Sequence, residues 1–207
     1  CFALPYGNPH DPACLAPATD KANVLLVGDS HAAQLSQALR NAIGPSHLMQ
    51  ATAAGCRPLF ETIGLKSCHQ MVLRAFQPDA LASVSAVVLA GRWFDADAQS
   101  LGETVNTLRQ RGVPKVIVVG PMVEYEGEMP DLLGRAMLAN DTGRMAELRV
   151  ADRAPLDTKL RPIVTAAGGH YVSHFDIECP RASCRHLTPD GAPIHVDQAH
   201  LSPQAAI

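Results

Sequence analysis

Along this chain, continuous apolar runs alternate with segments whose apolar positions recur every three or four residues. Val24, Leu25, Leu26 and Val27 read as a buried strand over 23–28. A helix over 31–43 follows, with Leu35, Leu39, Ala42 and Ile43 on one face opposite Gln34, Gln37 and Asn41, until Gly44 and Pro45 stop it. A weaker strand over 47–52 leads into Gly55, Cys56, Arg57 and Pro58, and a helix over 69–77 ends before Pro78. The pattern repeats with a strand at 84–90, a helix at 98–111 closed by Gly112, Val113 and Pro114, and a strand at 115–119. Beyond Gly120 and Pro121 it loosens. Residues 122–140 read as a long site loop with one short helix, and 142–166 as helix started, kinked or broken at Pro155 and Pro162. A last strand is predicted at 170–175. The Pro- and Ala-rich segment 1–22 shows no period and is expected to be an N-terminal loop ahead of one domain over 23–207.

Such alternation predicts an α/β fold, a three-layer sandwich with a parallel sheet of about five strands and helices on both faces. At 207 residues the chain fits one core, and no apolar run reaches the ~20 residues of a membrane span. The chain opens at Cys1 without an initiator Met and so reads as a mature or excised segment. A net charge of −3 with no basic block argues against a nucleic-acid partner. Six cysteines allow 15 connectivities, among which sequence alone does not choose; the local pairs Cys1–Cys14, Cys56–Cys68 and Cys179–Cys184 are favoured because each would clip an irregular, proline-containing loop. The even count suits an oxidising compartment, and a bridge closing a loop of about 15 residues is worth roughly 3 kcal/mol in the chain-entropy model. Two rival uses are a zinc site of Cys179, Cys184 and His186 and a lipidated Cys1.

Reactive groups in doubly wound sheets gather at the carboxyl ends of strands. Three predicted strand ends stand out: Gly28, Asp29 and Ser30; Gly91, Arg92 and Trp93; Gly120 and Pro121. Ser30 sits where a strand meets a helix, near the positive end of its dipole, with a bland alternative as an N-cap. Near the other end of the chain, Asp197 and His200 are three residues apart, so one turn of backbone carries both on one face. A hydroxyl, an imidazole to take its proton and a carboxylate to orient the ring make a nucleophile system. The competing use of His195, Asp197 and His200 is metal ligation, which leaves the serine motif unexplained. The Ser30 and Gly55 backbone N–H groups are the candidate oxyanion donors, Gly55 because a loop glycine lets backbone approach substrate closely.

Gly28, Asp29 and Ser30 after a strand, with Asp197, His200, Leu201 and Ser202 near the C-terminus, resemble the SGNH/GDSL hydrolase family. The form Gly-Asp-Ser-His with Asp-x-x-His-Leu-Ser is most similar to the periplasmic SGNH domains fused to bacterial acyltransferase-3 membrane proteins, which O-acetylate surface glycans. The resemblance runs from Val24 to Ser202. It implies a flavodoxin-like sheet and a serine-dependent acetyltransferase with no bound cofactor and no metal. It further implies a glycan acceptor, an acetyl donor supplied by a membrane acyltransferase-3 domain in the same polypeptide, and a periplasmic place tethered to the inner membrane. A carbohydrate O-acetyl esterase and an idle glycan-binding domain are the rival activities. The chain departs from the family where a Gly-x-Asn-Asp motif is expected: Gly91, Arg92, Trp93 and Phe94 stand there, so the Asn oxyanion donor is missing. The fused domains often carry a similar Arg-Trp. Arg92 and Trp93 are accordingly candidate substrate contacts, Arg92 for an anion and Trp93 for a sugar ring.

Overall fold

The computed structural model of the protein describes residues 1–4, 10–61 and 66–206; residues 5–9 of the expected N-terminal loop lie outside them. Six strands form one parallel sheet: β1 (Phe2–Ala3), β2 (Asn23–Gly28), β3 (His47–Ala53), β4 (Val84–Ala90), β5 (Val116–Val119) and β6 (His170–Val172). Their order is β1-β3-β2-β4-β5-β6, and every neighbouring pair runs parallel. The sheet therefore has one strand more than the sequence suggests. Segment 1–22 is not all loop, since Phe2 and Ala3 pair with Thr52 and Ala53 at the edge, beside the Cys1–Cys14 bridge. Two residues carry no readable period, and only pairing with β3 makes them a strand.

All six residues of β2 are buried, because helices cover both faces of the sheet. Alternate side chains explain the two layers. Leu25 and Val27 point into the larger core with Met71 and Val72 of α3 (Lys66–Ala75), Leu101 and Val105 of α5 (Ala98–Gln110) and Leu156 and Leu160 of α7 (Arg153–Ala166). A short α4 (Pro78–Leu81) lies between α3 and β4 in the chain. Val24 and Leu26 face the opposite way, toward Ala32 of α1 (Ser30–Ala33) and Leu39 of α2 (Ser36–Ala42). The single helix expected over 31–43 is thus two. A tightened turn, with Leu35 N–H donating to Ala32 C=O, breaks the ladder between them.

After β5 the expected loop contains α6 (Met129–Leu138), whose Met129, Leu133 and Ala136 form a satellite core with Val123, Tyr125 and Met145. Residues 142–166 divide into a 3₁₀ turn (Thr142–Ala146) and α7, which keeps Pro162 inside it. The last strand stops at Val172 because Ser173 caps α8 (His174–Glu178), its Oγ accepting from the Asp176 N–H at 2.9 Å.

The chain leaves β2 toward β3 on one side and then crosses to β4 on the other. The crevice between β2 and β4 is a topological switch point, where such sheets place their ligands.

Candidate active site

Ser30 follows β2 directly, at that crevice. Gly28 makes the approach possible. Its φ is +155°, and a Cβ there would lie 1.7 Å from the Ala90 carbonyl oxygen, so only glycine lets the end of β2 run this close to β4. Asp29 is buried and serves two loops. Oδ1 accepts from the His31 N–H and Oδ2 from the Arg92 N–H, both at 2.8 Å, which ties the Ser30 turn to the segment after β4. Burial pushes the Asp29 carboxyl up from its ordinary range, and the Arg92 and His31 N–H groups pull against it. Asp29 is the cap, so Ser30 is free of that task. With only four residues in α1, the macrodipole has little to offer; the unpaired first-turn N–H groups matter more.

Asp197 and His200 lie at the tip of a small hairpin rather than on a helical turn. His195 bridges Leu201 antiparallel, and the Val196 N–H donates to the His200 carbonyl. Asp197 Oδ1 accepts from the N–H groups of Ala199 and His200, each at 2.7 Å, and this Asx turn folds the tip. Its other oxygen, Oδ2, meets His200 Nδ1 at 2.7 Å, and His200 Nε2 meets Ser30 Oγ at 2.8 Å. The carboxylate places the ring proton on Nδ1, leaving the Nε2 lone pair to accept the Ser30 O–H. Burial opposes ionisation of Asp197, but the two backbone donors and the His200 ring hold its carboxyl below the usual range. The arrangement can move a proton from a hydroxyl to an imidazole and stabilise the imidazolium that results.

The hairpin is held in place by groups the sequence reading missed. Gln34 Oε1 accepts from the Leu201 N–H at 2.9 Å, and the Tyr125 N–H donates to the Gln198 carbonyl at 3.0 Å. Gln34 stands four residues after Ser30, the helical spacing that would have put it on the same face. Below the hairpin, buried Glu178 accepts from the Val123 N–H and pairs with His174 Nδ1 at 2.9 Å. Its Oε2 lies 3.0 Å from Nε2 of the fully buried His195, an ionic contact without hydrogen-bond alignment. Burial opposes the Glu178 charge, yet both histidines hold its carboxyl down at about 2.

His31 stands edge-on to His200, ring centroids 5.2 Å apart. Burial, aided by the charges of His200 and Arg92, lowers the His31 pKa from 6.5 to about 3. The ring is therefore neutral beside His200. Between pH 3 and 6.5 the unfolded chain binds this proton and the folded one does not. The contribution to stability is thus complete above about 6.5 and shrinks as pH falls. A drop from pH 6.5 to 5 is expected to cost about 2 kcal/mol through His31, roughly 4–8 °C in Tm. His31→Leu should flatten that part of the acid slope. Parallel melting curves for the two proteins from pH 7 to pH 5 would contradict the assignment.

The candidate oxyanion donors are both uncommitted. Among the described residues, the Ser30 and Gly55 N–H groups have no hydrogen-bond partner. Gly55 has φ +66° and is exposed, with nothing within 4 Å of a notional Cβ, and the Cys56–Cys68 bridge begins at the next residue.

Comparison with known proteins bears on this geometry. A family model described as the SGNH domain (fused to AT3 domains) matches residues 1–207. The chain belongs to that family. Among solved structures, the domain is similar to the periplasmic domain of the lipopolysaccharide acetyltransferase of Salmonella ser. Paratyphi A. The TM-score is 0.76 at 18% identity, covering 94% of this chain and 82% of that one, which establishes a common fold. A Streptococcus pneumonia protein provisionally described as a platelet activating factor gives a TM-score of 0.49 at 15% identity, covering 94% and 84%. No curated protein matches.

In this SGNH domain the segment after β4 turns one aromatic into the core and the next outward. Trp93, expected to stack on a sugar, is a core residue: it is 0% exposed, and its ring N–H donates to the Val119 carbonyl at 2.8 Å. A buried indole needs that acceptor, and no face is left for a ligand. Arg92 is half-exposed and grips buried Glu124 through Nε and Nη2, at 3.1 and 2.7 Å to Oε2. Arg153 approaches Glu124 from the core at 3.2 Å and donates to the Trp93 carbonyl at 2.9 Å. The exposed aromatic of this loop is the next residue, Phe94 (40% exposed), with the guanidinium of Arg57 5.2 Å from its ring centre and that of Arg92 5.9 Å away. The pairings Cys1–Cys14, Cys56–Cys68 and Cys179–Cys184 are all formed, so Cys179 and Cys184 offer no thiolate for zinc.

Proposed function

We propose that the domain moves an acetyl group onto a hydroxyl of a bacterial cell-surface glycan through an acetyl-Ser30 intermediate. The observation that carries this reading is the Ser30–His200–Asp197 relay at the switch point, 2.8 and 2.7 Å per link, in a member of this family. Ser30 Oγ attacks the acetyl carbonyl as its proton passes to His200 Nε2. Asp197 keeps the ring oriented and offsets its charge. The Ser30 and Gly55 N–H groups receive the oxyanion. His200 then protonates the leaving group. In the second half the acceptor hydroxyl gives its proton to His200 and attacks the acetyl-serine; the Ser30 Oγ–acyl bond then breaks and His200 returns the proton to Oγ, which regenerates the free enzyme.

Phe94, rather than Trp93, offers a ring to the acceptor sugar, and Arg92 stands beside it. The likeness to the Salmonella lipopolysaccharide acetyltransferase domain supports a glycan acceptor and a periplasmic setting, and three disulfides suit that compartment. The acetyl donor is assigned to a membrane acyltransferase-3 domain of the same polypeptide, which fits the family's description, and no bound cofactor is needed for the chemistry proposed. The test supplies the purified domain with a small acetyl ester, with and without a bacterial surface oligosaccharide, and follows sugar acetylation by mass spectrometry. Acetylated sugar that requires Ser30 is expected. Rapid deacetylation of an acetylated sugar, with no transfer at any acceptor concentration, would make the domain an esterase.

A further inference from the structure

Away from the Ser30 crevice, an open cavity of about 440 Å³ lies where the Thr142–Ala146 turn meets the Cys179–Cys184 loop. Its volume falls in the range of small-molecule sites. The side chains that give it chemistry are Thr142, Arg149, Arg181, Ser183 and His186, with no carboxylate among the lining residues. Neither arginine has a carboxylate partner among the described residues, although the chain as a whole is acidic. Arg149 Nε donates to the Ala146 carbonyl and Nη1 to Cys184 Sγ, which fixes the guanidinium in the wall and leaves Nη2 uncommitted. Arg181 is exposed and holds a left-handed backbone at φ +56°. Tyr125, whose hydroxyl is pushed up to about 12 chiefly by burial, keeps its proton and meets His186 Nδ1 at 3.1 Å. That pairing leaves the imidazole an Nε2–H donor. The wall is thus a set of donors and positive charges without a counter-charge.

We infer that this cavity is a subsite for an anionic sugar, one carrying a phosphate or carboxylate. The guanidiniums take the anion. Thr142, Ser183 and His186 take hydroxyl oxygens, which a bare anion would leave unmatched. The cavity also connects to the proposed chemistry, because Tyr125 touches His186 with its side chain and Gln198, beside Asp197, with its backbone. That the sugar belongs to the acceptor glycan rests on the acetyl-transfer reading; the preference for an anionic sugar does not.

Calorimetric titration of the oxidised domain with glucose 6-phosphate, glucuronate, glucose and inorganic phosphate tests this inference. Glucose 6-phosphate and glucuronate are expected to bind at least tenfold more tightly than glucose, and more weakly as salt rises. Arg181→Gly, which suits the left-handed backbone and removes the charge, should weaken both at least fivefold while leaving ester hydrolysis at Ser30 unchanged. Arg149→Gln is the companion variant, and the exposed Arg181 keeps the test decisive if that one folds poorly. Equal binding of glucose and glucose 6-phosphate, or unchanged affinity in Arg181→Gly, would overturn the site. Inorganic phosphate as tight as glucose 6-phosphate would reduce it to a bare anion site. Binding to phosphatidylglycerol vesicles that Arg181→Gly abolishes, with no affinity for the sugars, would reassign it to lipid. Normal sugar-phosphate binding in a domain with no Ser30 chemistry would count against the acetyl-transfer reading alone.

Discussion

Hydrolysis of a small acetyl ester is expected to fall by ~10³-fold or more in Ser30→Ala, with Tm essentially unchanged. Ser30 is half-buried at the crevice, and its hydroxyl bonds only to His200 among the described residues. The core loses nothing with it. His200→Ala should cost about as much, and the double variant no more than either alone, because both residues serve one proton path. Asp197→Asn separates orientation from turn formation. It retains an oxygen for the Ala199 and His200 N–H groups but sets an NH₂ against His200 Nδ1, which favours the wrong tautomer. Its loss should be roughly tenfold smaller than that of Ser30→Ala. Kinetics on the four proteins, with melting curves alongside, would show additive losses if the residues acted separately.

The largest structural effect is expected at Gly28. An alanine methyl would meet the Ala90 oxygen at 1.7 Å and Ala32 Cβ at 2.7 Å in a backbone of φ +155°. Neither neighbour is the flexible end of a side chain, so β2 or β4 must shift. Overpacking and the unsuitable backbone together should cost roughly 3 kcal/mol or more, about 6–12 °C in Tm. Activity should fall with it, because the same shift displaces Ser30. Gly55→Ala is the control. Its φ of +66° carries only the left-handed penalty of about 1–2 kcal/mol, with no atom nearby to clash. Equal destabilisation of the two would mean that conformation, and not the close approach to β4, is what Gly28 provides.

The legible parts of this fold were those under a single constraint. Strand β2 and the Val87–Ala90 part of β4 are buried on both faces, so their sequences are apolar runs bounded by polar or turn residues. Helix α5 packs one stripe, Leu101, Val105 and Leu108, and its period survives in the sequence. Elements that depend on partners elsewhere were not legible. Strand β1 exists because β3 has a free edge, and α8 begins because Ser173 finds the Asp176 N–H.

The site divides the same way. Ser30, Asp197 and His200 were readable because a serine directly after a buried strand and an Asp and His three residues apart are local patterns, although the hairpin that brings them together was not. Trp93 misled because a strand end in this fold usually faces the crevice. Its neighbour Arg92 does reach outward, while the indole turns inward to the Val119 carbonyl. Glu124 left no local signal, since its partners Arg92 and Arg153 lie 29 or more residues away. Gln34 and Glu178 showed only a helical spacing of four, to Ser30 and His174, while their partners Leu201 and His195 come from elsewhere in the chain.

The proposed acetyl transfer requires Ser30 to carry the acetyl group. Intact-mass spectrometry of the domain, quenched within its first turnovers on an activated acetyl ester and then digested, tests this directly. One added acetyl group on the peptide containing Ser30 is expected, and none in Ser30→Ala. Acetylation of another residue with Ser30 unmodified, or undiminished turnover in Ser30→Ala, would contradict the account.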